Sequence, residues 1–274
     1  MERIVIDARE LMNFKTDNFR ELYGSQGRVT KDEKGVIHIT GPAVIKGDIP
    51  DEKDFRKSTK LRVHKGSLTI NGRVGDLTDI TDDLTTKDRI DITVTKGVGY
   101  HVNIISSQGN INIQGNTGGM CYLNARKNTS MIRRDFFGMK RVRRDPSQGN
   151  LTVTGKVGGC STLTAGYTMI VGEVETSKPE RKSELSAYHI DINDVGSYCE
   201  LKGGREIHVR GRAQPLSTLD IWKKGRIIAD NPLDGVNVCV EGIPVERGTR
   251  QARHGSIYAP GYNNRNPPEN ERAR

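Results

Sequence analysis

The residues best suited to chemistry by type and spacing lie in the segment from Ala125 to Asp145, ARKNTSMIRRDFFGMKRVRRD. It carries Arg126, Lys127, Arg133, Arg134, Lys140, Arg141, Arg143 and Arg144 against Asp135 and Asp145, with Phe136 and Phe137 at its centre. Cations around aromatic rings grip phosphate backbones, anionic lipid surfaces or acidic proteins. The competing account is a piece of the fold whose two phenylalanines face inward while the arginines face water. If any surface of this chain binds a partner, the composition points to this one.

Three weaker constellations follow. His38, Thr69, Thr93, Asn112, Thr152, Asp191, His208 and Asn237 each stand between two apolar residues, which predicts one outward polar column. Within it Asp191 and His208 fall on neighbouring repeats, and an Asp–His pair is the start of general-base chemistry. No serine or cysteine nucleophile stands beside them, so a solvated ladder is the simpler account. Asp76, Asp79, Asp82, Asp83, Asp88 and Asp91 form an acidic stretch that could hold a hard cation, but the spacing matches no calcium loop. Asp82 and Asp83 are expected to cap a loop. Cys121, Cys160 and Cys199 are spaced 39 and 39 residues apart, at near-equivalent places on alternate repeats. With Cys239 they are read as reduced, small core residues, and the six histidines show no paired metal spacing. No cofactor, metal or catalytic residue is assigned.

What must position these residues is a repeat. GSLTINGRVGDLTDI from Gly66, DITVTKGVGYHVNI from Asp91, GNINIQGNTGGMCYL from Gly109, GNLTVTGKVGGCSTL from Gly149 and GREIHVRGRAQPLSTL from Gly204 share one form. It is apolar-x-apolar, a glycine, a second glycine-rich corner and another short apolar segment. Period-two alternation marks half-buried strands, and glycines at fixed offsets mark sharp corners. The leading apolar positions are Leu68, Ile92, Ile111, Ile132, Leu151, Met169, Ile190, Ile207 and Ile227, at steps of 17 to 24 residues. Stacked coils have a reason to hold such a step; a hairpin meander does not. The expectation is all-β: a right-handed parallel β-solenoid (β-helix) of about nine to ten coils near 20 residues each, on the order of 40 Å long. VIHITGPAVIKGDI from Val36 reads as an earlier coil.

The ends look different. Asp7 to Tyr23 predicts a capping helix, with Asp7 as N-cap and Leu11, Phe14, Asn18 and Leu22 along one face. Residues 1–34 are thus a cap segment, 35–247 the solenoid, and 248–274 a polar, Pro- and Asn-rich tail expected to be flexible. The 34% hydrophobic and 5% aromatic content suits a narrow fold rather than a thick layered core. A net charge of +9 favours acidic partners, although a well-solvated surface is the plainer reading. No apolar run is long enough for a transmembrane segment, and the N-terminus has no signal-peptide core. The expected location is the cytoplasm, with export by a non-classical route left open.

The GNLTVTGKVGG, GSLTINGRVGD and GNINIQGN segments resemble bactofilin-like, polymer-forming β-solenoid proteins over about Gly66–Glu241. The resemblance implies end-to-end self-assembly without a nucleotide. This chain departs from it in its longer, less regular coils, its basic insert and the helix over one end. The expected function is a non-enzymatic β-solenoid scaffold or binding module, whose walls or ends meet a protein partner or another copy. A bacterial protein acting on a host partner fits the same features. The alternatives are a carbohydrate-active β-helix enzyme, and binding of nucleic acid or an anionic surface through the basic insert. The first alternative would need sugar platforms, and Trp222 is the single tryptophan.

Overall fold

The computed structural model describes residues 3–13, 28–54, 57–83, 88–126, 149–222, 224–245 and 255–260. The apolar-x-apolar triplets become short strands, because successive side chains of an extended backbone leave opposite faces. These strands build two parallel columns. The first contains Ala43–Lys46, Leu68–Asn71, Ile92–Val94, Ile111–Ile113, Leu151–Val157, Thr168–Val174, the second halves of Ser183–Val195 and Cys199–Val209, Gly225–Ala229 and Gly255–Tyr258. The second contains Ile37–Thr40, Thr59–Lys65, Thr78–Asp82, Asn103–Ile105, Tyr122–Ala125, Thr162–Ala165, the first halves of Ser183–Val195 and Cys199–Val209, Thr218–Ile221 and Asn237–Val240. Single-residue bridges link Ile49, Val74, Val98, Thr117 and Val157 in a third line. Among the described residues Ala8–Met12 is the one helix, and this long parallel sheet of repeated strands fits a β-solenoid-like fold.

The core is the set of apolar ladders that the registers create. Leu68, Ile92, Ile111, Leu151, Met169, Ile190, Ile207 and Ile227 are direct neighbours down the first column, and all are buried. Each such side chain contributes about 1.5–3 kcal/mol by leaving water. Ile132 lies outside the described residues. Ile111–Ile113 pairs directly with Leu151–Val153, and a strand edge already bonded to one neighbour has no room for another on that side. In sequence the basic segment links Tyr122–Ala125 of the second column to Leu151–Val157 of the first.

Two devices hold successive levels in register. At one corner an Asp or Asn side chain accepts from the backbone N–H of the next level. Asn110 N–H donates to Asp91 Oδ1 at 2.7 Å, Asn150 N–H to Asn110 Oδ1 at 2.8 Å, and Thr168 N–H to Asn150 Oδ1 at 3.1 Å. Beside this ladder the backbones touch. A Cβ on Gly149 would lie 1.8 Å from the Gly109 carbonyl oxygen, so only glycine fits. The corner before the second column works otherwise. It turns through left-handed backbone at Leu77, His101, Met120, Cys160, Tyr198 and Leu216, with φ between 53° and 66°. Glycine was the expected residue for such turns, but all six carry side chains, and those of His101, Met120 and Leu216 are exposed.

The ends depart from expectation. Before the helix, Ile4–Asp7 is a strand paired in parallel with Ala43–Lys46. The described helix is Ala8–Met12, with Asp7 as N-cap accepting from Arg9 N–H at 2.8 Å, and Ala8 and Leu11 packed on the core. Phe14, Asn18 and Leu22 lie outside the described residues. Within the expected tail, Gly255–Tyr258 pairs with Gly225–Ile228, since its alternating Ile257 extends the buried ladder. At both ends of the second column an antiparallel strand closes the edge: Arg28–Lys31 on Ile37–Thr40, and Ile243–Pro244 on Asn237–Val240.

Candidate functional site

Of the basic segment, Lys127, Arg133, Arg134, Phe136, Phe137, Lys140, Arg141, Arg143 and Arg144 lie outside the described residues. Its anchor points do not. Arg126, half-buried, follows the strand Tyr122–Ala125, and the chain returns at Gly149. The carbonyls of Ala125 and Gly149 both accept from Gly166 N–H, at 3.3 and 3.1 Å. The residue after Gly166 is Tyr167, so the segment leaves the sheet next to an aromatic cluster that sequence reasoning missed. Tyr167 and Tyr188 stack with ring centroids 5.8 Å apart, and His189 meets both edge-on at 5.3 and 4.8 Å. Burial first, and also the positive charges of Arg205 and Arg226, hold His189 below its ordinary pKa, with Glu206 opposing.

The polar column divides between the two walls. Thr69, Thr93, Asn112, Thr152, Asp191 and His208 do share the outward positions of the first column. His38 and Asn237 belong to the second column, because both columns are built from the same apolar-x-apolar triplet. Asp191 and His208 are register partners. Their side chains are committed elsewhere: Asp191 Oδ1 accepts from Arg210 Nε at 2.9 Å, and His208 Nε2 lies 3.4 Å from Asp230 Oδ1. The carboxylate that would orient the imidazole is neutralised by a guanidinium instead.

A second histidine cluster is more tightly connected. His38 Nε2 lies 3.3 Å from Asp32 Oδ2, His38 Nδ1 lies 2.8 Å from His64 Nε2, and His64 Nδ1 lies 3.0 Å from Asp83 Oδ2. Each contact needs one proton, so all three form when the two imidazoles together hold three N–H protons and one positive charge. Asp32 and Asp83 flank the two rings. Asp32 is held below the usual carboxylate range, first by the Val36 N–H and then by His38 and Lys34 N–H, against the opposing effect of burial. Every ring nitrogen is engaged within the chain, which suits a tie between the first hairpin and the following strands. Sequence reasoning placed His38 but not this chain. The only available signal was three ionisable residues at strand ends, and a register shift after Ile39 is what brings His64 alongside.

The acidic stretch is dispersed rather than convergent. Asp76 Oδ1 accepts from Tyr100 N–H at 2.9 Å and pairs with Arg73, while Asp91 serves the Asn110 ladder. Asp82 is buried, and its Oδ2 accepts from both the N–H and the hydroxyl of Ser107 at 2.6 Å. Its Oδ1 has no hydrogen-bond partner, and burial pushes its carboxyl above the usual range. Asp82 and Asp83 thus fasten a corner, as loop-capping residues would. Among the described residues no group of three or more His, Cys, Asp or Glu is placed to hold a metal ion.

The cysteines are free thiols. Cys121 aligns with Ser161, and Cys199 with Ser183, because Tyr122 pairs with Thr162 and Ser183 with Cys199. Cys160 sits one residue earlier, at the left-handed turn. Burial pushes the Cys121 and Cys199 thiols up to about 11, which keeps them protonated and weakly nucleophilic. No helix among the described residues is long and apolar enough to cross a membrane. Comparison with known proteins found no matching family model, no matching curated protein and no matching solved structure.

Proposed function

We infer that the chain is a non-enzymatic binding module built on a right-handed parallel β-solenoid of about nine to ten coils near 20 residues each. The observation that carries this reading is the closure of the second column by antiparallel strands at both ends. A parallel stack that grows end to end must offer a strand edge of the same sense at each end. Here the second column turns back on itself at both ends, and Pro244 removes one backbone donor from its closing strand, while the first column ends in the parallel strands Ile4–Asp7 and Gly255–Tyr258. This supports a self-terminating scaffold that presents its walls and corners, rather than a subunit of a filament. The engagement of Asp191, His208, His38 and His64 within local pairs supports a binding role over a catalytic one.

The test is light scattering with small-angle scattering across protein concentration and salt. A mass near the 30.4 kDa of one chain under all conditions is the expected result. Growth into rods with concentration would replace this reading with end-to-end assembly.

A further inference from the structure

The corner that leads into the first column gathers rings and cations along one edge. Tyr167 is 39% exposed and stacks on Tyr188, one level further along. Ala187 pairs with Gly203, and Gly203 with Ile221. The residues that follow them, Tyr188, Gly204 and Trp222, therefore succeed one another at this corner. Between the rings, the middle level carries buried Gly204 and exposed Arg205. Trp222, 37% exposed, closes the series, and exposed Lys224 follows it. The edge thus reads ring, ring, cation, ring, cation. Glu206, the nearby carboxylate, is already paired with Arg226.

We propose that the edge formed by Tyr167, Tyr188, Arg205, Trp222 and Lys224 binds single-stranded nucleic acid, with bases on the rings and phosphates on the cations. Exposed aromatic rings offer faces on which any base can stack, and interleaved cations follow the phosphate backbone. An acidic protein would use the cations but gain nothing from the ring faces. A duplex would keep its bases stacked on each other and out of reach. The alternation of rings with cations at successive levels is what favours the single strand. The proposal rests on the reading of the chain as a binding module and names its partner.

The full chain would be titrated with a short fluorescein-labelled oligothymidylate, following anisotropy and the emission of Trp222, the only tryptophan. Binding with quenching of Trp222 is expected, weakening steeply as salt rises. Tyr167→Ala and Arg205→Glu should each weaken binding by about tenfold or more while leaving the thermal melt of the fold in place. Tyr188→Leu, which keeps apolar bulk at a half-buried position, should weaken it similarly. Lack of binding at low salt would overturn the proposal. So would binding that leaves Trp222 emission and the Tyr167→Ala variant unchanged, or equal binding of heparin or duplex DNA. The scattering mass, read on the same sample without oligonucleotide, shows independently whether the binding-module reading has failed.

Discussion

At the corner that holds Gly109 and Gly149, the backbone of one level lies against the backbone of the next. At the corner that holds Met120 and Cys160, the backbone bends through the left-handed region with side chains in place. The first corner is limited by space: the missing Cβ of Gly109 would lie 2.0 Å from the Ile90 carbonyl oxygen. The second is crowded as well, since a Cβ on Gly118 or Gly158 would lie 2.7 Å from Gly99 C or 2.5 Å from Gly119 N, and Met120 and Cys160 beyond them add torsion, at a cost of roughly 1–2 kcal/mol for a non-glycine residue. Glycine in this chain therefore marks crowding more often than unusual backbone angles. The difference also separates what each corner can present. The first corner is fastened by buried polar contacts such as Asp82 to Ser107, while the second projects side chains outward.

The sharpest way to break this comparison is Gly149→Ala. The new methyl would meet two backbone carbonyls, those of Gly109 and Ala125, and neither can move alone. A loss of about 3 kcal/mol or more is expected in urea unfolding. A loss below about 0.5 kcal/mol would show that the levels are not in contact there.

His64→Ala tests the fastening at the same corner. It leaves Asp83 and His38 each short of one partner, and should cost about 1–3 kcal/mol. In a double-mutant cycle His38→Ala and His64→Ala should couple, and strict additivity would dissolve the chain into unrelated contacts.

Asp82→Asn sharpens the picture through pH. The carboxyl is raised in the folded state, so the native protein binds more protons than the unfolded one above the ordinary carboxylate value. Stability contributed by the protonated form is therefore present at low pH and lost as pH rises through the folded value. Asn keeps an acceptor for Ser107 and carries no charge. Stability at neutral pH should rise by about 1 kcal/mol, and the part of the pH dependence due to this group should vanish. Chemical denaturation across pH 3 to 8, a span of about five units, would reveal an unchanged slope if the burial account is wrong.

Leu216→Gly should have the smallest effect. Its side chain is 53% exposed at a φ of 66°. Relief of torsion is opposed by the greater freedom of glycine in the unfolded chain, each about 1 kcal/mol, so the melting temperature should barely move. A large loss would mean that Leu216 is held by packing rather than merely tolerated.

The repeat was legible because burial imposes it residue by residue. Leu68, Ile92, Ile111 and Leu151 had to alternate with polar neighbours to line one interior, and they face each other as that alternation requires. Ile132 lies outside the described residues, and Ile111 and Leu151 meet directly although the whole basic segment separates them in sequence. His38 and Asn237 were assigned to the wrong wall because both walls use one triplet, and periodicity does not say which wall a triplet joins. The Asp32–His38–His64–Asp83 chain and the Tyr167–Tyr188–His189 cluster were not legible. The contacts that join them across levels, His38 to His64, His64 to Asp83 and Tyr167 to Tyr188, come from strand register, with a one-residue shift at His64, and register cannot be read from a single repeat. The basic segment was conspicuous by composition, and the structure fixes where it is rooted.

That root has an evolutionary consequence. Ala125 and Gly149 offer their carbonyls to one and the same amide, so the segment starts and finishes at a single spot on the scaffold. Whatever length of chain runs between them, the strands on either side keep their partners. The segment can be lengthened, shortened or exchanged by descent without disturbing the stack, much as a tool is changed on a fixed handle. Selection on what this protein meets can then proceed at that spot almost independently of selection on how it folds.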